Sequence, residues 1–378
     1  MDSKAWKEGR AMGLGFLDHM RVVPDHRIAG MVTYPLDEIL LATLTGIVCG
    51  ADDWEGIEEV ANGALDWLRG FLPFANGIAT AQTFRKVFRL LDSQALARGF
   101  AAWAASVRTP RREVIAVDGK TLRGSKTSSD GTGALHLISA YASEAGLVLA
   151  QRAVDGKSNE ITAIPELLDM LNLKGAIISI DAMGTQKEIA RRIVDKSADY
   201  VLALKGNQTS LHEDAALFFA DPGCAVACAR GGDTDAGHGR IEERLCRAAD
   251  AGWLAERHPD WKGLRSLAAI TARRIDKKTG AESLETRFYI TSLEPDPKAI
   301  LKAVRAHWGI ENNLHWTMDV TFDEDRCRTR KDDSPLNLAI IRHAALNTLK
   351  ADKTRGSLRR KRLRACVDPK FRTQLFAA

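Results

Sequence analysis

Apolar residues follow two rhythms along this chain, and the change from one to the other divides it. From Val114 to Val117 they run without polar alternation straight into Asp118, and Gly119 then offers a turn. Such a run predicts a strand buried on both faces and closed by the turn residue. Ala176–Met183 repeats the pattern, with Asp181 near the end of its apolar stretch. Between them, Leu135–Ser143 and Leu147–Asp155 predict a hairpin turned at Glu144–Gly146. Helices are predicted over Asn159–Leu173, with Pro165 near the first turn, and over Thr185–Lys196, followed by a strand at Tyr200–Leu204.

Before residue 111 the rhythm is helical. Tyr34–Gly50 is rich in Leu, Ile and Ala, and Trp54–Phe74 carries its apolar residues at helical spacing. That spacing makes Trp54 and Trp67 core anchors rather than a stacking surface for bases. In Ile78–Asp92, Thr80 or Thr83 can cap a helix that turns Phe84, Val87, Phe88 and Leu91 inward and Arg85, Lys86 and Arg89 outward. A short basic helix after a Gly-containing turn fits the second helix of a helix-turn-helix, and equally a solvated charged face. T-P-R-R at 109–112 breaks the periodicity, which gives a helical N-terminal domain of residues 1–110.

Residues 206–296 read as a β-rich insertion, with strands at Ile241–Ala248, Ser266–Arg273 and Thr286–Leu293. Pro295 and Pro297 close it, and a helix follows from about Lys298 to about Trp316. On that helix His307, Glu311 and Leu314 or His315 share a face. Gly309 is unfavourable there by about 1 kcal/mol against Ala, which a close approach of backbone or substrate would explain. Asp323, Glu324 and Asp325 precede the basic run Arg326–Lys331 and are expected to neutralise it. Helical spacing resumes over 335–350, completing a domain of residues 111–350. Residues 351–378 form a basic tail around Arg359–Arg362, either solvated or laid on a phosphate backbone.

Composition narrows the class. A chain of 378 residues, 45% hydrophobic and 27% charged, has material for two or three folded domains and is not largely disordered. A net charge of +5 leans toward an anionic partner without deciding for one. Six sparse cysteines suit the reduced thiols of an intracellular protein. Cys224, Cys228, His238 and Cys246 share one loop-rich stretch, but their irregular spacing lacks the paired knuckle of a zinc site. There is no signal-peptide pattern and no apolar run of about 18 residues, so a cytoplasmic protein without a membrane partner is expected.

Taken singly, Asp118 and Asp181 read as turn residues and Glu311 as an exposed helix glutamate. Together they read differently. Carboxylates gathered at the ends of neighbouring strands hold hard cations such as Mg2+. Two such ions align both oxygens of a phosphodiester displacement. The element order (strand, hairpin, helix, strand, helix, strand) matches a ribonuclease-H-like sheet. The expected fold is therefore α/β, a ribonuclease-H-like mixed sheet with a β-rich insertion, preceded by an all-helical N-terminal domain. Lys120, Arg123, Lys205, Asn207 and Gln208 flank the acids as candidate phosphate or base contacts. Arg240, Arg305, His307, Arg85 and Lys86 complete the candidate DNA contacts. No Ser, Tyr or Cys stands out as a nucleophile.

The motifs D-x-R at Asp25–Arg27, Y-P-L-D-E-I-L-L-A from Tyr34, G-A-D-D-W at Gly50–Trp54 and V-D-G-K-T-L-R-G-S around Asp118 occur in order. I-S-I-D-A-M-G-T-Q around Asp181, Y-V-L-A-L-K-G-N-Q from Tyr200, H-G-R-I-E-E-R from His238 and H-W-x-I-E-N-x-L-H-W-x-x-D-V from His307 follow. On these the chain resembles the bacterial insertion-sequence DDE transposases of the H-repeat-associated group. The resemblance implies a metal-binding triad of Asp118, Asp181 and Glu311, holding two Mg2+ ions that Mn2+ can replace. It implies cleavage and strand transfer at the ends of the element, on double-stranded DNA, with a homodimer pairing two ends. The wider transposase group places Tyr, Arg and Lys around this Glu where Val304, His307 and Met318 stand here. Two alternatives remain: a nuclease of the same fold without strand transfer, and a DNA-binding relative that has lost catalysis.

Overall fold

The computed structural model describes residues 15–109, 112–126, 133–154, 160–237 and 239–377. Helices α1 (Leu36–Val48), α2 (Trp54–Gly63), α3 (Ala81–Leu90) and α4 (Ser93–Val107) build the N-terminal part. Three of these starts are capped by side chains, and Thr80 is one of the two caps expected for α3. Asp53 accepts from the Gly56 amide, Thr80 from the Thr83 amide, and Asp92 from Gln94 and Ala95. Phe84, Val87, Phe88 and Leu91 are buried, and so is Trp54, which packs on Phe84 and Phe88.

The sheet begins with β1 (Val114–Leu122), β2 (Leu135–Ala142) and β3 (Leu147–Val154), paired antiparallel in sequence. After α5 (Glu160–Asp169), β4 (Ile177–Ile180) pairs parallel to β1. After α6 (Lys187–Asp195), β5 (Asp199–Leu204) pairs parallel to β4. The order β3-β2-β1-β4-β5 is the ribonuclease-H-like sheet expected from the sequence.

The insertion does not form a separate lobe. It adds β6 (Ala229–Gly237), β7 (Arg240–Asp250), β8 (Ser266–Asp276) and β9 (Glu282–Thr291), and β9 pairs antiparallel with β5, giving nine strands in one sheet. An unpaired β5 would expose a row of amides and carbonyls, and β9 satisfies them. The sequence reading omitted β6. Gly231, Gly232, Asp233, Asp235 and Gly237 give it little strand propensity, and it stands only because β7 pairs along its whole length.

Helix α7 (Pro297–Ile310) starts where Asp296 accepts from the Lys298 and Ala299 amides. It continues through a single π-turn, Glu311–His315, into Trp316–Thr321. Helix α8 (Ser334–Ala351) is buried along most of its length between the N-terminal helices and the sheet. Asn347 on α8 exchanges hydrogen bonds with the backbone of Val148, and Asn337 donates to the carbonyls of Phe88 and Leu91. One apolar core therefore joins α1, α3, α4 and α8 to Ala116, Tyr141 and Val148. Helices α5 and α6 cover the other face of the sheet.

The C-terminal segment corrects the sequence reading. It folds as α9 (Leu358–Val367) and α10 (Pro369–Ala377), which send Ala365, Phe371, Leu375 and Phe376 into the N-terminal core. Lys361 is buried on Asp352. Arg362, its side chain 6% exposed, donates to the carbonyls of Ile47, Ala51 and Thr321 and pairs with Asp52. Charge density in one dimension suggested solvation. In the fold, several oxygens offset the desolvation of that guanidinium.

Candidate active site

Strands β1 and β4 run parallel in the register Val117 to Ile180, so the next residues, Asp118 still within β1 and Asp181 just past β4, lie side by side. The expected turn at Gly119 is absent. β1 continues to Leu122 along β2, with Gly119 opposite Ile138. Glycine is needed there for space, because a Cβ would lie 2.5 Å from Glu160 Oε1 and 2.5 Å from His136 Nε2. Those two buried side chains hydrogen-bond each other at 2.6 Å behind the strand.

Helix α7 crosses the same strand ends and delivers Glu311 at the start of the π-turn. Such turns re-aim the side chains of a helix and recur at functional sites. Ligand atoms of Asp118, Glu311 and His315 lie within 4.8 Å of one another. Asp181 stands outside that trio, with its Oδ1 accepting from the amides of Met183 at 3.0 Å and Gly184 at 3.2 Å. It nonetheless lines the same cleft of about 380 Å³, together with Asp118, Lys205, His307, Trp308 and Glu311. Gly309 has no neighbouring backbone near its missing Cβ, only Asn313 Nδ2 at 3.3 Å, so the expected close backbone approach is not found.

Burial pushes the Asp118 carboxyl up to about 6, with Glu311 and Asp181 adding to the rise and His315 opposing it. Glu311 is held below the usual range, chiefly by its hydrogen bond with His315, against a smaller effect of burial. His315 Nδ1 lies 3.2 Å from Glu311 Oε2 and 3.7 Å from Asp118 Oδ2. Burial lowers His307, while the Asp181 charge pulls it back up. The site thus gathers negative charge in a partly desolvated cleft, with one imidazole between two of the acids. His315 was missing from the sequence-derived site. The signal was there in the four-residue step from Glu311, which left Leu314 and His315 as alternatives.

The candidate contacts divide. Lys120 is not a free cation, since its Nζ lies 2.8 Å from Glu324 and 2.5 Å from Asp319. Burial alone would lower that amine, but the two carboxylates hold it above its usual value. Asn207 and Gln208 donate to the carbonyls of Ala182 and Thr185, so they brace the loop after Asp181 instead of facing a ligand. Arg305 bridges Asp233 and Asp235 on β6. These partners lie far away in sequence or on β6, which the sequence reading omitted. Lys205 and His307 do line the cleft, Arg123 is 84% exposed, and Arg240 is exposed at the β6–β7 end. Arg85 pairs with Glu55, and Lys86 is exposed on α3. Of the cysteine group, His238 lies outside the described residues, while Cys228 and Cys246 enter separate cores.

A ribonuclease-H-like sheet with two acids side by side on adjacent parallel strands and a third carried in on a crossing helix defines a phosphodiester-cutting class of protein. The comparisons specify which. Residues 109–348 match the model described as the transposase DDE domain, and residues 17–104 match its DDE_Tnp_1-associated companion. The chain belongs to the DDE transposase family. "Putative transposase YncI" of Escherichia coli O157:H7 is 39% identical over 370 residues, covering 96% of this chain and 94% of that one. "H repeat-associated putative transposase YhhI" of Escherichia coli K12 is 36% identical over 376 residues, covering 96% and 97%. A shorter relative from K12, 37% identical over 71 residues, 19% of this chain and 84% of its own length, bears the name "Inactive transposase YbfQ". Among solved structures, a piggyBac transposase synaptic complex with hairpin DNA aligns over 99% of this chain and 80% of that one. Its identity is 11% and its TM-score 0.47, so the fold assignment rests on the strand order above.

Proposed function

We propose that this transposase cuts DNA at the ends of its own insertion sequence and joins the freed 3′-hydroxyls to a target. Two Mg2+ ions would be held among Asp118, Asp181 and Glu311, with Mn2+ able to replace them. The observation that supports this most directly is the close grouping of Asp118 and Glu311 in the cleft that Asp181 also lines. The donors fit such ions: carboxylate oxygens suit hard cations, and one imidazole nearby is tolerated by Mn2+. When bound, the ions supply Lewis-acid stabilisation of the leaving oxygen and lower the pKa of an attacking water.

The side chains account for the rest. Burial, with a smaller push from the neighbouring acids, leaves Asp118 titrating at about 6, so it is largely ionised and ready to coordinate at neutral pH. His315 orients Glu311 through Nδ1, the kind of support that fixes a ligand's geometry. Asn207 and Gln208 hold the loop that follows Asp181. Lys205 and Arg123 remain placed for phosphate contacts. The substrate is double-stranded DNA, and a homodimer would pair the two ends. No helix among the described residues is long and apolar enough to cross a membrane.

The test is a supercoiled plasmid carrying the DNA that flanks the gene, incubated with Mg2+. Transfer products support the transposase reading, whereas nicks or linear DNA alone select the nuclease. Unchanged cleavage by Asp118→Ala and Asp181→Ala would refute the assignment of the acids.

A further inference from the structure

A second concavity, about 630 Å³, lies between helix α3 of the N-terminal part and the segment that follows the catalytic helix. Seven basic side chains line it against four acidic ones. The acids already have structural tasks. Asp52 pairs with Arg362, Asp53 caps α2, Glu55 pairs with Arg85, and Asp323 lies 3.6 Å from Arg326. Lys86, Arg328 and Lys331 are exposed, and none has an ion pair among the described residues. Of the acids preceding the basic run, Asp323 meets Arg326, while Arg328 and Lys331 keep their charge unpaired among the described residues. Glu324 is spent inside the protein on Lys120, and Asp325 faces Arg123.

The groove is also tied to the cleft. Arg330 on its wall donates to the carbonyl of Gly124 at 2.9 Å. A Cβ on Gly124 would lie 2.3 Å from the carbonyl oxygen of Cys327, so the two segments pack backbone against backbone. Gly124 stands in the short 3-10 turn that follows β1, six residues beyond Asp118 and so at most about 20 Å from it at ~3.3 Å per residue.

We propose that this groove, with Lys86, Arg328 and Lys331 as its phosphate contacts, is a backbone track for duplex DNA that grips the substrate beside the cut. The identity of the ligand as DNA rests on the transposase reading. The placement rests on the groove itself. It joins the N-terminal helices to the catalytic domain as one binding surface, and a sequence-independent grip of this kind sets the register of the scissile phosphate without reading bases.

Anisotropy of a labelled 30-base-pair duplex, titrated in EDTA at a series of salt concentrations, tests this. Because no cleavage is involved, a wrong assignment of the catalytic acids leaves the assay unaffected. Replacing Lys86, Arg328 and Lys331 together by Ala is expected to weaken binding at least about tenfold. It should also flatten the slope of log K against log salt by about 2 to 3, at ~0.9 per lost phosphate contact. The matching triple replacement of Lys187, Arg191 and Lys196, on and just after α6 across the sheet, removes the same charge and should leave the slope unchanged. Should the groove triple fail to fold, the single variants carry the test with a change near 0.9 each. An unchanged slope in the groove variants, or an equal fall in both triples, overturns the proposal. So would an acidic peptide that binds the groove without competing with the duplex. On a mapped element end, phosphate ethylation should interfere at phosphates flanking the cut as well as at the cut itself. Interference confined to the cut itself refutes the placement.

Discussion

Replacing Asp118 by Asn should stabilise the metal-free protein at neutral pH while abolishing its chemistry. The carboxyl titrates at about 6 in the folded chain against an ordinary 3.8, because burial and the neighbouring acids disfavour its charge. Below pH 3.8 the group is protonated in both the folded and unfolded chains, and no penalty arises. As pH rises through the interval to about 6, the unfolded chain has already released its proton while the folded chain keeps it, so stability falls. Above 6 both are ionised and the folded chain bears the full penalty. At ~1.4 kcal/mol for each pKa unit, the interval amounts to about 3 kcal/mol. Urea titrations of wild type and Asp118→Asn in EDTA, at pH 4 and pH 7.5, measure it. The variant should be the more stable by up to about 3 kcal/mol at pH 7.5, with little difference at pH 4. Adding Mg2+ should stabilise the wild type and leave the variant nearly unmoved. A variant less stable than wild type at pH 7.5 without metal would show that the site stores no repulsion, and the reasoning about the cleft would fail.

Two further outcomes follow from the packing. His315→Ala should raise the Mg2+ concentration needed for cleavage roughly 10–100-fold, as expected when a ligand loses its orienting partner; a magnesium titration with an unshifted midpoint would remove His315 from the site. Arg362→Ala strips a buried cation from three carbonyls and Asp52, and should destabilise the fold by about 3 kcal/mol or more in chemical denaturation. A change under about 0.5 kcal/mol would return α9 to the status of a solvated surface helix.

Local rules carried the sequence reading wherever the answer depended on neighbours in the chain. Unbroken apolar runs marked β1 and β4, helical spacing marked α3 and its buried Phe84, Val87 and Phe88, and Thr80 and Pro297 marked helix starts. The two strands and the later helix that carry Asp118, Asp181 and Glu311 could be read from spacing in the same way. Gly119 was identified for the wrong reason, because a glycine required by side chains from β2 and α5 looks in one dimension like a glycine in a turn. The acids, and the elements that carry them, were thus written locally in residue type and spacing. Only the tertiary structure could decide which cations remain free to meet DNA. Lys120, Arg305 and Arg362 find carboxylates and carbonyls tens to hundreds of residues away, whereas Lys86, Arg328 and Lys331 have none within the described chain. A charge is silent about its partner until the chain has folded, because Coulomb attraction and desolvation depend on distance through space.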